Sequence, residues 1–309
     1  MAVDWLTDED VPMVALSPHL DDLLFSACSV VQRRSLEAWT VFAGFPERPA
    51  TTAWDESCGF PDSTATLTAR RAEDEAAFAG SRATVRHLPL LDGPYTDPDR
   101  RRADLATLRG LLLEWIETHP GGVVLAPAGA GARVEPAIWE RLRGRTPASD
   151  RAVEVKSPAT ETPADGAART DMRRAGIRGW GVRTVRAVMH ADYQRRRAAA
   201  RRRGLAVNTD HLTVRDLVLG LVDRTTVVLY EDLPYLWAEP ADAAVAEISA
   251  RRNLTATPVE VTVDTADKFN RIGHYTSQLD VMDPVERRLS HPGRLPATER
   301  FWVLERKDR

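Results

Sequence analysis

Cysteine is nearly absent: Cys28 and Cys58 are the two in 309 residues. That is too few for a disulfide framework or a thiolate zinc site; one disulfide is the most the count allows, and a reducing compartment is the default. Long hydrophobic runs are missing as well, since no apolar stretch approaches the roughly 18 residues of a membrane span. The first ten residues are acidic and lack the basic and apolar regions of a signal peptide, so a cytoplasmic protein is expected. Nor does one sign of charge dominate. A net charge of −3 argues for neither nucleic acid nor a membrane surface as a partner. What remains is a globular composition, 43% hydrophobic and 28% charged, with chain enough for one large α/β domain or two ordinary ones.

One stretch stands out. Met13-Val14-Ala15-Leu16-Ser17 is an apolar run of strand length, and it delivers Pro18, His19, Leu20 and the adjacent carboxylates Asp21 and Asp22. A strand end is where an open α/β sheet places its binding site. A histidine and two carboxylates there suit a hard or borderline metal, with one carboxylate spare to act on a water. The competing reading is that Asp21 and Asp22 merely cap the next helix and complement its dipole. Spacing alone leaves both open.

Periodicity predicts a helix over 23–34 and a second strand over 38–44, together the size of a βαβ unit. A Pro-, Thr- and Gly-rich loop over 45–66 is long enough to be a functional wall or a mobile segment. A charged helix over 68–80 carries Arg70, Arg71 and Glu73, followed by a strand over 85–90, a turn over 91–95, a helix over 105–118 and a buried strand over 123–127. Alternating strands and helices of this kind predict an α/β, Rossmann-like domain with a mostly parallel sheet covered on both faces.

The pattern then breaks. Residues 133–207 hold 18 Arg/Lys against 8 Asp/Glu, an excess of ten cations that leaves the rest of the chain at −13. A short helix is expected around 138–139, a disordered Pro/Ala/Ser/Thr-rich middle over 146–170, and a helix across the arginine triplets at 195–203. The insertion lacks an aromatic-interleaved or helix-turn-helix pattern, which disfavours nucleic acid. An acidic partner, a phosphate-bearing ligand or the acidic remainder of the chain itself fits its charge. After it, Asp210 reads as the N-cap of a helix running to 222 that would hold His211 in its first turn, and strands are expected over 226–230, 259–263 and 301–304, with a helix over 266–279. One domain spanning 1–309 and interrupted at 133–207 accounts for the pattern better than two.

Assembled in order, these residues resemble the PIG-L/LmbE-like family of zinc-dependent de-N-acetylases. Ser17-Pro18-His19-Leu20-Asp21-Asp22 is similar to that family's Pro-His-x-Asp-Asp motif. Arg70-Arg71-Ala72-Glu73, Leu91-Asp92-Gly93-Pro94-Tyr95 and Leu125-Ala126-Pro127 recur in family order, and Asn208-Thr209-Asp210-His211 resembles its second motif, His-x-Asp-His. The resemblance implies His19, Asp22 and His211 as ligands of one zinc per chain. It implies Asp21 as the general base acting on a metal-activated water, and Arg70 and Asp92 as contacts to an N-acetylated amino sugar or other small glycoconjugate. One position departs: Asn208 stands where the family has a histidine. Asparagine donates a hydrogen bond and so can steady an oxyanion, but it cannot titrate as an acid. Two other readings follow, an amidase for larger sugar-linked thiol conjugates and a catalytically silent sugar- or partner-binding module.

Overall fold

A computed structural model describes residues 5–133, 195, 205–283 and 286–307. The expectations for 138–139 and 146–170, and for 195–203 apart from Arg195, lie outside the described residues. Seven strands form one sheet: β1 (Met13–Ser17), β2 (Leu36–Thr40), β3 (Ala83–His87), β4 (Val123–Pro127), β5 (Thr226–Tyr230), β6 (Leu254–Thr262) and β7 (Thr298–Arg306). Their order is β3-β2-β1-β4-β5-β7-β6. The first five are parallel, and β7 runs antiparallel to both β5 and β6. The helices are α1 (Asp22–Ser26), α2 (Cys28–Arg33), α3 (Ala53–Ser57), α4 (Ser63–Phe78), α5 (Pro98–Thr118), α6 (Thr209–Leu219), α7 (Asp242–Arg252), α8 (Thr265–Ile272) and α9 (Thr276–Met282). No helix among the described residues is long and apolar enough to cross a membrane.

The central strands β1 and β4 are buried along their whole length, so residues of opposite pleat face two separate cores. Met13 and Ala15 join Phe25, Val31, Tyr230 and Phe301 on one face. Val14 and Leu16 join Leu108, Leu112, Trp115 and Val218 on the other. This is the covered parallel sheet that continuous apolar strands require. Chain order reverses direction across the sheet between β1 and β4, and the crevice outside their carboxyl ends is the natural binding position.

Several boundaries differ from expectation, each for a tertiary or capping reason. The helix expected over 23–34 is two helices. Ala27 leaves helical geometry, and α2 starts afresh with its first amides, Cys28 N and Ser29 N, donating to the buried Glu299 carboxylate of β7 at 3.1 and 2.8 Å. The helix expected over 266–279 is likewise two, parted near Gly273. α5 begins seven residues early because Asp97 caps it and Pro98 occupies its first turn. β6 runs through Pro258, which an edge strand tolerates because no ladder donor is needed on its outer side. The 45–66 loop is ordered by α3, whose Thr52–Asp55 capping box is tied by Asp55 Oδ1 to Thr66 Oγ1 at 2.6 Å and to the Tyr95 hydroxyl at 2.5 Å. Finally, the cap of α6 is Asn208 rather than Asp210, its Oδ1 accepting from Asp210 N at 2.9 Å.

Candidate metal centre

β1 ends at Ser17, and the next five residues make a tight local structure. Ser17 Oγ donates to His19 O at 2.6 Å and accepts from Leu23 N at 3.0 Å, so a serine serves the amide end of α1. Asp21 precedes that helix but its carboxylate makes no capping bond, and its φ of 154° is a conformation that L residues rarely adopt. Asp22 does not cap either. Its Oδ2 turns back to accept from His19 N at 2.7 Å. The capping reading of the two carboxylates therefore fails: Asp22 turns to His19 and Asp21 to Arg70.

Asp22 Oδ2 is the hub of the site. It lies 3.1 Å from His19 Nδ1 and 3.1 Å from His211 Nε2, with all three side chains buried. His211 Nε2 makes no hydrogen bond despite being buried. An orphaned imidazole nitrogen beside a buried carboxylate and a second imidazole is the donor set of a borderline divalent cation, and these three atoms lie within 4.8 Å of one another. The sequence placed them nearly two hundred residues apart, and the fold brings them together.

The outward nitrogens are held just as firmly. His211 Nδ1 meets Asp232 Oδ1 at 2.5 Å, two residues beyond β5. His19 Nε2 lies 3.3 Å from Asp92 Oδ1, beyond β3, and 3.3 Å from Asp210 Oδ2 on α6. Each histidine thus has a carboxylate behind it, which sets tautomer and ring orientation for a metal ligand. Asp232 also accepts from Gly129 N and Ala130 N at 2.7 and 3.0 Å, tying the β4 loop to the site. That loop needs glycine at 129, where φ is +82° and a Cβ would stand 2.6 Å from Leu212 Cδ2. Asp210 is anchored in turn by Arg101 at 3.0 Å, which stacks over Phe42.

Asp21 lies beside this hub without joining it. Burial, reinforced by the neighbouring Asp22 charge, pushes its carboxyl up to about 8. The guanidinium of Arg70 on α4 sits 3.5 Å from Asp21 Oδ2 and opposes that rise. Burial works against the charged form of His211, but Asp22 and Asp232 outweigh it and raise the imidazole to about 9. Asp22 and Asp92 are held well below the ordinary carboxylate range despite burial, chiefly by His211 and His19 respectively.

Of the residues singled out in the sequence, His19, Asp22 and His211 form the hub, Asp21 and Arg70 pair beside it, and Asp92 stands against His19. Asn208 caps α6, and its Nδ2 donates to the Tyr235 hydroxyl at 3.2 Å. The sequence reading assigned no role to Asp232, Tyr235 or Arg101. The first two follow directly after β5, and position after a parallel strand was the one available signal.

No family model matches this chain, and no curated protein matches it. Solved structures do. Teicoplanin deacetylase Orf2 in its zinc-inhibited form is similar with a TM-score of 0.61 at 17% identity, over 96% of this chain and 99% of that one. The A40926 pseudoaglycone deacetylase Dbv21 is similar with a TM-score of 0.57 at 19% identity, over 98% of this chain and 100% of that one. A deacetylase in complex with teicoplanin gives 0.56 at 19% identity, over 97% and 100%. At these identities the likeness is one of fold.

Proposed function

We propose that this chain is a divalent-metal-dependent N-deacetylase that hydrolyses the acetamide of an amino sugar carried on a larger glycosylated metabolite. The observation that carries the reading is the orphaned His211 Nε2 converging with His19 Nδ1 on Asp22 Oδ2. Zinc is the cation this mixed imidazole–carboxylate set suits best. The full-length fold likeness to a teicoplanin deacetylase and an A40926 pseudoaglycone deacetylase supports the substrate class.

His19, Asp22 and His211 would hold the cation, which would supply Lewis acidity toward the amide carbonyl and the attacking water. The other roles belong to the protein. Asp21, as carboxylate, takes the proton of the attacking water; as the acid, it returns that proton to the amine nitrogen as the C–N bond breaks. Burial raises the Asp21 carboxyl above the ordinary carboxylate range, the direction that helps one group serve as base and then as acid. Arg70 holds Asp21 in place and, with its remaining donors, suits substrate hydroxyls. Asp92, Asp210 and Asp232 keep the imidazoles aimed. The products are acetate and the free amino sugar.

Purified protein should hold about one zinc per chain and release acetate from an N-acetylglucosaminyl glycopeptide, with both properties lost in His19→Ala. Full zinc occupancy with no acetate from any acetamido sugar would sink the reading. Release of a longer acid in place of acetate would point to the wider amidase instead.

A further inference from the structure

Tyr235 lies at the start of a single helical turn, Tyr235–Trp237, just past β5. Its ring packs edge-on against His211, with centroids 5.1 Å apart and planes at 68°. Its hydroxyl lies 3.2 Å from Asn208 Nδ2. Which way this hydrogen bond runs is decided elsewhere. Asn208 Oδ1 is committed to Asp210 N at 2.9 Å as the cap of α6, so the amide can only present its NH2 group to the phenol. An amide nitrogen donates and does not accept, so the phenol oxygen accepts, and the phenol keeps its own proton for another acceptor. Among the described residues no acceptor takes that proton. The arrangement is a phenol whose ring packs on the candidate metal ligand His211 and whose oxygen is held by Asn208, leaving its O–H as a donor.

We infer that Tyr235 is a further catalytic residue, donating its O–H to the carbonyl oxygen of the scissile acetamide as charge develops there, with Asn208 as the positioning residue that orients the phenol. The inference rests on the deacetylase reading and deepens it. It gives the asparagine a purpose: a non-titrating side chain at 208 turns a neighbouring phenol into a preorganised donor. No proton is transferred from Tyr235. The hydrogen bond strengthens as the carbonyl oxygen gains charge and relaxes as acetate leaves.

Two variants test it. Tyr235→Phe removes the donor and keeps the ring against His211. Asn208→Asp keeps a good helix cap but offers the phenol an acceptor, which captures the proton meant for substrate. Both should lower kcat by about 10²-fold, the usual loss for one such donor, with KM and zinc content close to wild type. Independently of turnover, calorimetry on the zinc-loaded protein should show the affinity for a tetrahedral methylphosphonamidate analogue of the acetamide falling by a similar factor. Affinity for the deacetylated amine should stay unchanged. Wild-type kcat and wild-type phosphonamidate affinity in Tyr235→Phe would overturn the inference. A loss in Tyr235→Phe with none in Asn208→Asp would overturn the part given to Asn208. If the wild type released no acetate, the deacetylase reading would fail, and the phosphonamidate comparison would still decide the question for Tyr235.

Discussion

Asp232 shows how much of the centre depends on a side chain outside the three that converge on the hub. One of its oxygens faces His211 Nδ1, and the other takes the amides of Gly129 and Ala130. In Asp232→Asn the single carbonyl oxygen would remain with the two backbone donors, and the NH2 would turn to His211. His211 Nδ1 would then have to accept, which places the ring proton on Nε2, the nitrogen proposed to bind the metal. Zinc affinity should fall by about 10- to 100-fold in a chelator competition assay, while the circular dichroism spectrum stays that of the wild type. The same reasoning separates Asp21 from Asp22. Adjacent in sequence, they differ because Asp22 folds back onto His19 N whereas Asp21 is carried by its unusual backbone toward Arg70.

At the scale of elements, the helix following the motif is cut in two by a group that lies 271 residues away along the chain. Glu299 of β7 receives the first amides of α2 and pairs with the buried Lys268 of α8 at 2.6 Å. The two halves of this pair are not equivalent. Removing Glu299 strands a buried ammonium and two amide donors, whereas removing Lys268 leaves Glu299 with its two amide donors. Glu299→Ala should therefore cost about 3–5 kcal/mol, and Lys268→Met distinctly less, as read from the midpoints of urea unfolding. Equal losses would show that the amides of α2 do not depend on Glu299. A comparable long-range tie orders the loop after β2, where Asp55 joins α3 to α4 and to Tyr95. Composition alone had marked that loop as mobile or functional, because its apolar content is low and the partner hydroxyl of Tyr95 is 40 residues distant.

At the scale of the whole molecule, the described residues on either side of 134–204 meet side by side. Ala132 pairs with Ala206, Ala132 N donating to Leu205 O at 2.8 Å and Val207 N to Ala132 O at 3.1 Å. Gly131 allows this closure, since a Cβ there would stand 2.9 Å from Val207 N. Because the neck is closed by its own backbone bonds, replacing 134–204 with a flexible linker of about four glycine and serine residues should leave a folded protein that still binds one zinc. Changes should appear instead in which glycoconjugates are accepted, measured as kcat/KM across acetamido substrates of increasing size. Loss of zinc binding would show that the insertion is part of the domain rather than an excursion from it. The sequence by itself determined the alternation of strands and helices and the strand that ends two residues before His19. Those features arise from the period and polarity of neighbouring residues, which are local. His19 and Asp22 were legible for the same reason, being three residues apart, and His211 became so through a second short motif of recognisable type. Only the tertiary structure decided which carboxylate stands behind each histidine, that Asn208 caps α6 and meets Tyr235, and where α1 ends and α2 begins. Those outcomes depend on which strand lies beside which in the sheet. The order β1-β4-β5 brings loops from three separate stretches to one edge, and nothing within any one of those stretches encodes its neighbour.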